Sequence, residues 1–467
     1  MKTKFLSMLL AVALLATLSA CGTPAVPIDS PTSTGNGASE STLTDDNTPK
    51  PPDESQGLFN VNATLNETVL VDDGGVKITA TGLTYTAYSA DLALTIENNS
   101  GKDLSFVSGS MGYSCNSING YMVNDGYLNC DVANGKKAND TISFSYDALM
   151  LYGINEIADM EIGFSMTDDD YNSSYSGPRQ MKASVFDTHD YETDHYQKAI
   201  TSGAAMNVYG YEVTHFSQDA LYDQNGVKLL SSSLLRNQNG ETALLLELEN
   251  TTDSMVYVST SDIAINGLVV NSSTWSSDAI NPGKHCIVEA VLSSVLDDAH
   301  WGVYGFTDVG SVSLSLAQRN EDGAELALET PVEIMIPGAE AAFDGTGTEV
   351  YNSGGLQIIS KTVQEDLSEY SSNLYVLLLA ENNSGRTLAI DDAYDSLSVN
   401  GFMTDYSFSG QELADGESAA LVIQLWESSL EENQIASVAE VQEIEMGFEI
   451  KEGYTTIDEP TVTMAFE

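Results

Sequence analysis

From residue 58 onward, short apolar runs alternate with polar turns at spacings of about ten to fifteen residues, and the same series of signals comes three times in the same order. Each copy opens with a turn and a strand: Val71-Asp72-Asp73-Gly74-Gly75-Val76-Lys77-Ile78, Tyr222-Asp223-Gln224-Asn225-Gly226-Val227-Lys228-Leu229, and Tyr351-Asn352-Ser353-Gly354-Gly355-Leu356-Gln357-Ile358. An apolar strand then runs into a polar turn over residues 92–100, 244–252 and 374–384. Those turns read Glu97-Asn98-Asn99, Glu249-Asn250-Thr251 and Glu381-Asn382-Asn383. A second turn follows at Asn119-Gly120, Asn266-Gly267 and Asn400-Gly401. Asn-Gly predicts a tight hairpin, because both residues tolerate positive φ. A further turn falls at Gly135, Gly283 and Gly416.

Each copy then predicts a short helix, near residues 146–152, 293–300 and 427–434, and a strand over 160–166, 309–316 and 444–450. A last strand is expected after Pro178, Pro331 and Pro460. Many short strands punctuated by Gly, Asn and Pro predict an all-β protein of sandwich type, each helix crossing between sheets. Each copy exceeds 110 residues, enough for a core of its own.

This arrangement is similar to the telokin-like, immunoglobulin-fold repeats of Gram-positive surface lipoproteins of uncharacterised function. The resemblance implies three tandem immunoglobulin-like β-sandwich domains, over residues 58–190, 191–338 and 339–467. It rests on turn and strand signals, and the Cys-Trp-Cys core of antibody domains is missing: Trp275, Trp301 and Trp426 do not sit between paired cysteines.

The N-terminal pattern is of another kind. Lys2 and Lys4 precede an apolar run over residues 5–17, too short to span a bilayer comfortably. Leu18-Ser19-Ala20-Cys21-Gly22 follows. A charged start, an apolar core and small residues at a cleavage point describe a secretory signal, here residues 1–20. The segment resembles the lipobox of bacterial lipoproteins, which implies cleavage before Cys21, acylation of its thiol and an extracytoplasmic protein held on the membrane by lipid. Two acyl chains suffice for stable anchoring without a polybasic patch. Residues 21–57 are then a Ser/Thr/Pro-rich linker without apolar periodicity, read as disordered, reaching on the order of 30–35 Å.

With 69 acidic against 17 basic side chains, the formal charge is −52. That excludes nucleic acid and anionic lipid surfaces as partners, both of which repel such a chain. Outside the cytoplasm Cys115 and Cys130 are free to pair, closing a loop that contributes roughly 3 kcal/mol. Two buried thiols are the alternative. Cys286, within Cys286-Ile287-Val288, reads as a small core residue.

No hydrolase elbow, zincin helix or Walker loop is present. Asp168-Asp169-Asp170-Tyr171-Asn172 opens like a calcium loop but places Ser173 where glycine is needed and Arg179 where glutamate is needed. An acidic hairpin accounts for it better. His189 and His195 stand among Asp187, Asp190, Glu192 and Asp194. That is either a polar interdomain linker or ligands for zinc; the linker reading is preferred, so no metal site and no cofactor are assigned. Tyr113, Tyr121 and Tyr127 surround the Cys115–Cys130 loop, either as half-buried sheet residues or as an aromatic patch for a protein or glycan ligand. The expected function is non-catalytic: a lipid-anchored surface protein with a structural or binding role. The alternatives are a ligand-binding lipoprotein for carbohydrate or peptide and an accessory to a cell-envelope enzyme.

Overall fold

The computed structural model of the protein describes residues 59–109, 116–191, 194–203, 205–206, 210–237, 242–271, 277–292, 298–366 and 372–466. Cys21 with the signal and linker segments lies outside them, as do Tyr113, Cys115 and Trp275. The described residues form an all-β, sandwich-like fold with a few short helices.

In the first repeat Thr68–Asp73, Val76–Tyr85, Ser89–Asn98 and Lys136–Ser145 form an antiparallel sheet in that order. Ser89–Asn98 buries every second residue, so one face covers the core and the other faces water. Opposite it, Asp159–Asp168 pairs with Ser173–Lys182 on one edge and with Leu104–Ser108 and Ser117–Ile118 on the other. The second repeat places Val227–Asn237, Thr242–Asn250 and His285–Val291 against Val256–Ile265, Ser311–Arg319 and Glu325–Met335. The third places Leu356–Glu365, Leu374–Asn382 and Ser418–Leu425 against Leu388–Asp392 and Glu443–Glu452.

The sheets do not stop at the repeat boundaries. Tyr121–Met122, just after the first Asn-Gly turn, lies parallel to His285–Val291, so the second sheet of repeat one continues into the first sheet of repeat two. Leu268–Asn271 lies parallel to Ser418–Leu425 and joins repeats two and three in the same way. Thr242–Asn250 and Leu374–Asn382 are accordingly buried on both faces, unlike Ser89–Asn98. Ile359, Leu377, Leu379 and Ala420 of repeat three belong to the same core as Trp301, Tyr304 and Phe306 of repeat two.

Three asparagines do the same work in their repeats. Asn98, Asn250 and Asn382 are fully buried. Asn98 Nδ2 donates to the carbonyls of Lys102 and Val132, at 2.8 and 2.7 Å, while its Oδ1 accepts from Ser100 N at 3.0 Å. Asn250 binds Ser254 O and Ile280 O, and Asn382 binds Arg386 O and Leu413 O, with the same loop geometry. The Asn-Gly turns are likewise alike: Asn119, Asn266 and Asn400 have φ of 47°, 53° and 51°. Their Oδ1 atoms accept from the first backbone N–H groups of the following core strand.

The crossover helices occur at Tyr146–Leu151, Asp298–Trp301 and Glu427–Glu432, the second continued by a 3-10 turn at Gly302–Tyr304. Two details correct the sequence reading. Pro178 and Pro331 lie inside the strands Ser173–Lys182 and Glu325–Met335 rather than before them. Among the described residues each of those strands pairs on one side only, the edge position that tolerates proline, and a register shift accommodates Pro178. Directly after the histidine-rich stretch, His195–Thr201 is a helix that buries Tyr196 and Ile200.

Candidate functional site

Polar and titratable groups converge most densely where the first and second repeats meet. Glu247, on the doubly buried strand Thr242–Asn250, has a side chain with no exposed surface. Its Oε1 accepts from Tyr121 Oη at 3.3 Å and lies 3.2 Å from His285 Nδ1. Its Oε2 accepts from Ser231 Oγ at 2.7 Å and from Gln197 Nε2 at 2.8 Å. One carboxylate thus ties the first repeat's hairpin, the helix His195–Thr201 and two strands of the second repeat. Four hydrogen-bonding groups satisfy a polar side chain that would otherwise be costly to bury. Burial and the nearby carboxylate push the Tyr121 phenol well above its usual range, so it stays a donor. Beside this cluster Lys284 Nζ of repeat two pairs with Glu161 of repeat one at 2.9 Å, and His285 N donates to Gly120 O at 2.8 Å.

A cavity of about 30 Å³ lies next to it, lined by Leu151, Tyr152, Tyr196, Ile200 and Ile287 with Glu289 at its wall. That is room for about one water and too little for a sugar or peptide. Glu289 Oε1 is buried without a hydrogen-bond partner among the described residues. Burial, then the charge of Asp278, push the Glu289 carboxyl up to about 8, and burial pushes Asp278 up to about 6.

The residues singled out from sequence are dispersed. His189 Nδ1 is 2.7 Å from Glu156 Oε1, and its Nε2 is 3.3 Å from Asn119 Nδ2. His195 Nε2 meets Asp190 O at 2.8 Å. The two imidazoles therefore have separate partners, and no group of three or more metal-capable side chains occurs among the described residues. Asp168 caps its hairpin, accepting from the backbone of Asp170 and Asn172 at 3.0 and 2.9 Å and pairing with Lys102. The Lys102 ammonium, then the Asn172 hydrogen bonds, hold its carboxyl well below the carboxylate range.

Tyr121 is buried in the joint and Tyr127 is half-buried, so these two do not form an exposed aromatic patch. Cys130 is buried on Leu128–Val132, and Cys286 is a buried core residue as expected. A cleft of about 330 Å³ in the first repeat, lined by Asp73, Lys102, Asp168, Asn172 and the exposed Tyr175, is large enough for a small ligand. Glu247, His285 and Lys284 were not legible as a cluster. The available signal was a charged residue within the run Ala243-Leu244-Leu245-Leu246-Glu247-Leu248, where an acidic side chain needs a partner.

No protein-family model matches the chain, and no curated protein does. Among solved structures it is similar to the exo-chitosanase CsxA of Amycolatopsis orientalis, at 7% identity over 86% of this chain and 79% of that one, with a TM-score of 0.18. It is also similar to a protein of unknown function from Porphyromonas gingivalis W83, at 10% identity over 55% and 100% of the two chains, with a TM-score of 0.15. Red sea bream transglutaminase follows at 8% identity, 65% and 37% coverage and a TM-score of 0.14. Likeness at this level carries no inference about activity.

Proposed function

We propose that the protein is a lipid-anchored, extracytoplasmic surface protein whose three sandwiches serve as a non-catalytic structural arm. The observation that carries this reading is the continuity of the sheets through both joints. Strand pairing and buried side chains at each boundary resist bending, whereas flexible linkers between sandwiches would not. The lipobox-like Leu18-Ser19-Ala20-Cys21 supports the anchor, and the polar stretch behind it would hold the acidic body clear of an anionic envelope. Replacing Cys21 with alanine tests the address: the full chain is expected in the medium, and its retention on membranes overturns the anchor. Small-angle scattering of the full chain tests the arm, since a profile of three independently moving bodies would contradict it.

A second reading is a lipoprotein that captures carbohydrate or peptide, favoured by the cleft beside Lys102, Asp168 and Tyr175. Tyr175→Ala should then weaken binding on glycan or peptide arrays probed with the full chain, and arrays without signal would remove this reading.

A further inference from the structure

The two internal joints share one construction. The residue after each Asn-Gly turn, Tyr121 or Leu268, lies opposite the first residue of a parallel strand in the next repeat, His285 or Ser418. The apolar pair after the turn is buried both times: Tyr121 and Met122 are 4% and 6% exposed, Leu268 and Val269 0% and 4%. In the third repeat the same turn, fixed by the same asparagine hydrogen bonds, carries Phe402 and Met403. These are 55% and 60% exposed, and among the described residues no strand pairs with the outer edge of Phe402–Met403.

Among the described residues the complementary edge is unpaired as well. Lys136–Ser145 ends its sheet and is the counterpart of His285–Val291, because Lys137 faces Glu97 as His285 faces Glu249. Lys136 therefore takes the place of Lys284. Across the joint, Glu445 faces Ser398 as Glu161 faces Ser117, so Glu445 takes the place of Glu161. Lys136 and Glu445 are both exposed. Basic residues on an edge strand ordinarily discourage pairing. Here Lys284 and His285 occupy the same two positions in a joint that is formed, with Lys284 bonded to Glu161.

We propose that the protein associates head to tail with a second copy of itself. The Asn400-Gly401 hairpin of one copy adds as a parallel strand to the Lys136–Ser145 edge of the next, Phe402 lying opposite Lys137 and Glu445 pairing with Lys136. The contact is heterologous, so it propagates into short chains rather than closing on a dimer. It is weaker than the internal joints. The outward face of Ser89–Asn98 carries Asp91 and Thr95, where the second repeat has Ala243 and Glu247, the latter bound by Gln197 of the helix His195–Thr201, so only the strand edge and the ion pair are available. The net charge of −52 opposes association at low salt. Near 0.15 M salt, charges more than about 8 Å apart are screened.

Sedimentation velocity of the full chain at increasing concentration tests this. Reversible growth of larger species is expected for the unaltered protein. Phe402→Lys, K136E and E445K, all at exposed positions, should each weaken association by about tenfold or more, because each places like charge against like, the first beside Lys137. The double variant K136E/E445K should restore it. A chain that stays monomeric at every concentration, which would leave the edge to a different protein, overturns the proposal. So does a double variant no better than either single one.

Discussion

Tyr121 and His285 come from different repeats, yet their rings lie 4.9 Å apart on parallel strands and both meet the same buried oxygen, Oε1 of Glu247. The boundary between two repeats is thereby built like the interior of one. Its polar centre is satisfied from both sides, so neither repeat is complete there without the other.

Glu247→Ala removes an acceptor shared by Tyr121, His285, Ser231 and Gln197 and leaves buried donors without a partner. The expected loss is about 1–3 kcal/mol for each buried group that stays unsatisfied. Tyr121→Phe leaves the carboxylate in place and removes only the hydroxyl that meets Oε1 and the Tyr196 backbone, so it should cost less, about 1–2 kcal/mol. Urea unfolding of the two variants gives the comparison; equal losses would mean that the carboxylate does not organise the joint.

The fold class, the three-fold order of the elements and the Asn-Gly hairpins were legible because they depend on local chemistry. A residue at φ near +50° followed by glycine reads the same wherever it stands. The joints were not legible, because a parallel pairing between residues 121 and 285 leaves no local mark. Strand alternation held a trace of them. Leu92, Leu94 and Ile96 alternate with polar or small residues, whereas Leu244-Leu245-Leu246 and Leu377-Leu378-Leu379 do not. An unbroken apolar run marks a strand covered on both faces, here by the neighbouring repeat. The histidine-rich stretch gave the weakest reading. Its composition suggested a linker or metal ligands, while the structure gives His189 and His195 separate partners and starts a helix at His195 whose next residues, Tyr196 and Ile200, are core residues.

Asn382→Ala should be among the most damaging single changes in the third repeat. The side chain is fully buried, donates to Arg386 O and Leu413 O and accepts from Ser384 N. Alanine leaves three backbone groups to find other partners, at roughly 1–3 kcal/mol for each that stays unsatisfied. Asn98→Ala and Asn250→Ala should behave alike in their own repeats. Guanidinium unfolding would show a common loss at all three positions; a loss confined to one would mean the loops are not equivalent.

Glu289 gives the chain a stability that depends on pH. Its carboxyl titrates at about 8 rather than at the ordinary 4.5, owing first to burial and then to Asp278, which itself titrates at about 6 rather than 3.8. In both cases the folded state holds a proton that the unfolded chain has released. Stability is therefore fully present below the ordinary carboxylate values and falls as pH rises, first through the window of Asp278 and then through that of Glu289. Thermal melts should show Tm declining from pH 5 toward pH 8. Glu289→Gln keeps the shape without the charge. It should flatten the upper part of that decline and leave the protein more stable than the unaltered chain at pH 8, with little difference at pH 5. If the slope between pH 6 and 8 survives this substitution, the proton is held elsewhere.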